Sequence, residues 1–174
     1  KETHPEEYEL RLERDEKALK VVTIHKSKGL EYPIVICPFF WGNTEQGKTR
    51  DHVLYHDPGQ SYAPVLDLGS DGFDDHCRHY EEESLAEDIR LLYVALTRAR
   101  HRTCHVWGRI RKAPYSAPAY LFHQGQEPKG TDIAQAGRER YRGLSHDDFL
   151  RDLETFACAS GNTIRIGPLP VADE

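Results

Sequence analysis

Methionine is absent from all 174 residues and the chain opens at Lys1, so the sequence is expected to be a piece of a longer polypeptide. No run approaches the roughly 20 apolar residues that a bilayer crossing needs, which argues against a membrane span. Lys1 to Glu9 is rich in charge and has no apolar centre, unlike a secretory leader. Cysteine is sparse: Cys37, Cys77, Cys104 and Cys158 lie far apart without a CxxC pair. Free thiols in a reducing cytoplasm are expected rather than a disulfide framework. His76, Cys77 and His79 stand close together. Zinc sites draw on paired, regularly spaced clusters, and no second pair with such spacing follows, so no metal site is expected. Internal repeats and low-complexity tracts are also lacking.

What remains is 38% hydrophobic and 30% charged, a polar composition compatible with one sizeable core. The net charge of −6 excludes a basic protein that coats nucleic acid. That average conceals an asymmetry. Between Arg90 and Lys112 no acidic residue occurs, while Arg90, Arg98, Arg100, Arg102, Arg109, Arg111 and Lys112 all fall there. The run is either a solvated basic face or a local anion-binding surface.

Residues 6–19 are rich in Glu, Leu, Arg and Lys without Gly or Pro, which predicts a helical lead-in over residues 1–19. Lys20–His25 (KVVTIH) is β-branched and predicts a strand. Pro33–Pro38 is a second apolar run, suited to a strand buried on both faces. Within 39–75 the brief extended runs Val53–His56 and Pro64–Leu68 flank Asp57-Pro58-Gly59, predicting a hairpin insertion. A helix is expected from about Asp74 to Arg98, with Leu85, Ile89, Leu92 and Leu96 as its buried stripe. His101–Gly108 predicts a further strand. Residues 114–143 resemble loops with short helices, Ser145 caps a helix running to about Ala159, and Thr163–Ile166 suggests a last strand. Strands alternating with helices indicate an α/β fold with a mainly parallel sheet, helices on its faces and a small β-hairpin insertion.

Two strings carry chemistry. Thr23-Ile24-His25-Lys26-Ser27-Lys28-Gly29-Leu30-Glu31 combines a hydroxyl, an imidazole, two ammonium groups and a glycine at a predicted strand end. Such residue types suit a phosphate site, because glycine lets backbone N–H groups approach an anion. The second string, Glu87 to Arg100 (EDIRLLYVALTRAR), is a helix ending in arginines. An arginine there can reach a phosphate across a domain cleft, or simply satisfy the helix dipole.

Together the strings resemble motifs V and VI of the superfamily 1 helicases of the UvrD/Rep type. The longer forms VVTIHKSKGLEYPIVICP, YHD, PVLDL and LAEDIRLLYVALTRAR look most like its RecB-type branch, the beta subunits of exodeoxyribonuclease V. The likeness is dense from about Glu9 to Arg100 and thin beyond His105. It implies a partial RecA-like domain over residues 20–112, the second motor lobe of an ATP-driven 3′ to 5′ DNA helicase of break repair and recombination. Residues 113–174 would then extend toward a downstream domain. Carried over residue by residue, the likeness makes Arg98 the arginine finger on the γ-phosphate. Glu31 would bond the ribose, with the Gly29 backbone near the γ-phosphate. Thr23, His25 and Lys26 would contact DNA, and Glu87 and Arg90 would couple motif VI to motif V, although a purely structural ion pair suits them equally. The implied cofactors are ATP and Mg2+, held mainly by an absent first RecA-like domain. The implied partners are single- and double-stranded DNA, that first domain, and RecC- and RecD-like subunits, all in a bacterial cytoplasm.

Gly42-Asn43-Thr44-Glu45-Gln46-Gly47-Lys48-Thr49 also satisfies the GxxxxGK[ST] pattern of a P-loop. A working P-loop opens directly into a helix whose amide dipoles hold the phosphates. Here residues 50–57 read as a strand followed by a Pro-Gly turn, so the match is rejected. Two alternatives to the motor reading stand beside it: an inactive RecA-like scaffolding module, and a small stand-alone ATPase using Gly42–Thr49.

Overall fold

The computed structural model describes residues 18–41, 51–125 and 132–169. The predicted helical lead-in falls almost wholly outside these residues, and the P-loop-like stretch entirely so.

Strand β1 (Tyr32–Cys37) pairs in parallel with β4 (Ala99–His105), and Ile34, Val35, Ile36 and Cys37 stand opposite Arg102, Thr103, Cys104 and His105. The register shifts between Tyr32 and Ile34, at Pro33, which has no N–H to give to a ladder. Parallel strands need a long crossover. Here it consists of the hairpin β2 (Val53–Asp57) and β3 (Ala63–Asp67), which pair antiparallel, followed by helix α1 (Phe73–Leu96). Three helices complete the described chain: α2 (Ala117–Phe122), α3 (Ile133–Gly143) and α4 (His146–Ala159). This is a mixed α/β fold with a parallel strand pair, helices and a small hairpin insertion, as the sequence predicts.

The hairpin turn is built from its own side chain. The Asp57 carboxylate accepts from the Gly59 N–H and the Gln60 amide, both at 2.8 Å. Val53 and Tyr55 face inward and are buried, and the Tyr55 ring stacks on His76 of α1 at 4.5 Å. Asp67, at the end of β3, bonds the His76 imidazole at 2.5 Å. Glu83 accepts from the backbone N–H of His56 at 2.8 Å and meets its ring at 3.0 Å. The hairpin is thus fastened to the first half of α1. His76, which sequence proximity groups with Cys77 and His79, is engaged by Asp67 and Tyr55.

On the other side, α1 meets the C-terminal helices through a partly buried ion pair, Arg138 to Glu81 at 2.8 Å. Those helices surround a core of Ala113, Ala119, Tyr141, Leu144 and Phe149, against which Trp41, Trp107, Ile110 and Leu153 pack. Capping fixes where each begins: Ser116 accepts from the Ala119 N–H, Asp132 from Gln135 and Ser145 from Asp148. The Ser145 cap is the one read from sequence.

Several expectations are corrected. Residues 20–23 are not a strand and 24–29 form turns. Val21 is 92% exposed, and among the described residues no strand lies beside it to complete a ladder. Strand propensity without a partner leaves an irregular segment. Thr163–Ile166 is likewise irregular, and Ile164 and Ile166 are exposed. β1 is not covered on both faces, since Ile34 and Ile36 are exposed. In the α1 stripe Leu92 is buried while Leu96 is exposed. The helix also stops two residues short of Arg98. Thr97 turns its hydroxyl back onto the Tyr93 and Val94 carbonyls, and the Arg98 N–H bonds Ala95, so the last turn tightens and the chain leaves for β4.

Candidate functional site

The first motif folds as a tight, self-bonded segment. The Ser27 N–H donates to the Thr23 and Ile24 carbonyls at 3.1 Å, and its hydroxyl donates to Ile24 at 2.6 Å. Ser27 is buried, which roots the turn while Thr23, His25, Lys26 and Lys28 remain exposed. The Thr23 hydroxyl accepts from the Lys26 N–H at 3.3 Å. Gly29 has φ +83°, the left-handed region in which a side chain is strained, and this lets the chain swing from the turn into Leu30, Glu31 and β1.

Arg98 stands in the short link between α1 and β4. Its backbone carbonyl accepts from the Tyr32 N–H at 2.9 Å, the first rung joining the two motifs. Its guanidinium donates through Nε to the Val94 carbonyl at 3.0 Å and through Nη2 to the Thr97 hydroxyl at 3.1 Å. Through Nη1 it donates to the Leu30 carbonyl at 3.4 Å. Arg100 follows, its Nε 3.7 Å from the Glu31 carboxylate. Residues 68 positions apart in sequence therefore share one edge of the parallel pair. Gly29, Leu30, Glu31, Arg98 and Arg100 are brought together.

Glu87 and Arg90 are not part of that group. They bond each other at 3.0 Å on an exposed face of α1, and among the described residues neither bonds the 23–31 segment. The i, i+3 spacing explains the pair as a local helical contact. Arg100 belongs to the basic run of the sequence, and neither motif by itself assigns it a role. Its signal was the pairing of the two motifs, which sets Tyr32 opposite Ala99 and hence Glu31 near Arg100. The buried Ser27 was also missed. A serine inside a Lys-Ser-Lys string reads as surface, and only the backbone turn shows it pointing inward.

With this junction in place, the class can be stated: the chain belongs to the UvrD-like helicase C-terminal domains, whose family model matches residues 3–107. Individual relatives narrow this further. The chain is 43% identical over 141 residues to the RecBCD enzyme subunit RecB of Escherichia coli (strain K12), a match covering 80% of this chain and 10% of that protein. It is 31% identical over 131 residues to the same-named subunit of Haemophilus influenzae, covering 75% of this chain and 10% of that one. Over 104 residues it is 35% identical to an ATP-dependent helicase/nuclease subunit of Clostridium novyi, covering 52% and 8%. The chain spans about a tenth of the length of these relatives. Among the described residues no helix is long and apolar enough to cross a membrane.

Proposed function

We propose that this chain is the greater part of the second RecA-like lobe, residues 20–112, of an ATP-dependent 3′ to 5′ DNA helicase subunit of the RecB type. Residues 113–174 extend the lobe toward a downstream domain. The parent works in double-strand break repair and recombination in a bacterial cytoplasm, with RecC- and RecD-like subunits. ATP and Mg2+ are held mainly by a first lobe outside this chain, which carries the working P-loop.

The supporting observation is the seat of Arg98. A guanidinium has five N–H donors. Three are spent on Val94, Thr97 and Leu30, so two remain, held in place beside the Gly29 turn. A guanidinium anchored through part of its fork and open on the rest can stabilise charge developing on a γ-phosphoryl group without reorganising. Gly29 presents backbone and Glu31 a carboxylate to the same nucleotide, the latter for the ribose hydroxyls. Thr23, His25 and Lys26, exposed on the self-bonded turn, contact the DNA backbone. Glu87 and Arg90 organise the motif VI helix, and their mutual bond favours an internal role over a bridge to motif V.

Arg98→Ala in the full-length parent tests this reading. ATP turnover is expected to fall by about a thousandfold or more, the range for an arginine finger. Binding of a fluorescent ATP analogue should stay within about twofold, because the lost contact belongs to the transition state. Undiminished steady-state hydrolysis by the variant would overturn the assignment.

A further inference from the structure

Arg98 and Arg100 divide the work at the motif junction. Arg98 reaches the Leu30 carbonyl, whereas Arg100 turns to the next residue and holds Glu31 Oε2 at 3.7 Å from its Nε. The roots of both side chains are fixed by backbone: Tyr32 stands opposite Ala99, and the Tyr32 N–H bonds the Arg98 carbonyl. Glu31 and Arg100 flank the Tyr32–Ala99 pair diagonally, one just before it and the other just after, and their long side chains reach across this fixed offset to meet. Among the described residues no group hydrogen-bonds the Glu31 carboxylate. Arg100 meets it as an ion pair at 3.7 Å, so both oxygens remain open to accept from a ligand. Both side chains are largely exposed, 64% and 69%, so the pair is accessible and is not a core staple.

We propose that Arg100 is a positioning residue that fixes the Glu31 carboxylate to accept from the ribose hydroxyls of the nucleotide, and so sets the preference for a sugar that carries them. This rests on the proposed placement of Glu31 against the sugar. An unrestrained glutamate on the surface samples several rotamers and loses entropy on binding. A carboxylate already turned by a neighbouring guanidinium loses less, which lowers KM without touching the phosphoryl step.

The test compares KM and kcat for ATP and for 2′,3′-dideoxy-ATP in the full-length parent and four variants. Glu31→Ala is expected to raise KM for ATP about tenfold or more, as loss of a hydrogen bond to a charged group does, with KM for the dideoxynucleotide unchanged. Arg100→Ala should raise KM for ATP by up to about fivefold, the ceiling for an exposed pair, again sparing the dideoxynucleotide and leaving kcat within about twofold. Arg100→Lys should restore most of the loss, since an ammonium can still face the carboxylate. The double variant should match Glu31→Ala, because Arg100 acts only through Glu31. If Glu31→Ala weakens ATP but Arg100→Ala behaves as wild type, the positioning role is wrong and the site reading survives. If Glu31→Ala itself changes nothing, the placement of Glu31 on the sugar fails. A loss in Arg100→Ala that is equal for both nucleotides, or that falls on kcat alone, would assign Arg100 to the phosphates and overturn the proposal.

Discussion

The Asp67 carboxylate accepts four hydrogen bonds. Gly69 and Ser70 donate their N–H groups to Oδ1 at 2.9 and 2.8 Å, while the Ser70 hydroxyl and the His76 ring reach Oδ2 at 2.7 and 2.5 Å. His76 first, and then Ser70, hold its pKa well below the usual carboxylate range. The sign of the pH effect follows. The unfolded carboxylate titrates at about 3.9, so below that pH the unfolded chain binds a proton that the folded chain resists. Stability contributed by Asp67 is complete above about pH 4 and is lost as pH falls toward the lower folded value. Asp67→Asn should lower the urea midpoint of the chain at pH 7, with the gap to wild type narrowing by pH 3. A gap of the same size at both pH values would show that His76 and Ser70 do not hold the charge. Nothing in PVLDL announces this role, because an aspartate before Gly-Ser reads as a turn residue and its partner lies nine positions on.

At the scale of elements, the segment after β4 and the three C-terminal helices meet at His123, whose side chain is fully buried. Its Nε2 accepts from the Trp107 indole at 3.0 Å, so its proton sits on Nδ1, which donates to Asp152 at 3.2 Å. Arg140 closes the group, with Nη2 2.8 Å from both Asp152 oxygens and Nε donating to the His123 carbonyl. Burial depresses the His123 pKa against the pull of Asp152. Protonation would set an N–H on Nε2 against the indole N–H, two donors without an acceptor. A depressed folded pKa means that this stability is present above the unfolded value of about 6.5 and is lost as pH drops below it. His123→Ala should destabilise the chain by about 2–4 kcal/mol at pH 7 and flatten the fall in stability between pH 7 and 5, both read from urea unfolding. A slope as steep as wild type would place the titrating group elsewhere. Helices α1 and α4 and the hairpin are legible in sequence because their signals are local: apolar spacing, a serine cap, a Pro-Gly turn. The His123 group is not, because it joins the segment after β4, the residue that ends α2, and helices α3 and α4. Lys20–His25 misleads for the opposite reason, since its β-branched residues promise a strand and only a neighbouring strand could make one.

For the whole molecule, the two motifs were legible because each is a continuous string, and their junction follows once β1 and β4 are paired. What the strings do not disclose is the division of labour within them, with Arg98 on Leu30, Arg100 on Glu31, and Glu87 and Arg90 on each other. The proposed motor reading also decides the standing of Gly42–Thr49. If the phosphates are held by another lobe, the chain has a finger and a sugar contact but no cradle, and loose contacts alone cannot replace a P-loop's ring of amide donors. The 174-residue chain by itself is therefore expected to show no ATP hydrolysis above background, and Lys48→Ala should leave the signal of a fluorescent ATP analogue with it unchanged. In the full-length parent the same substitution should leave turnover within about twofold, because on this reading the P-loop of the first lobe holds the phosphates. Loss of nucleotide binding by Lys48→Ala in the isolated chain would instead mean that Gly42–Thr49 is a working phosphate loop, and the chain would then be an ATPase in its own right rather than half of a motor.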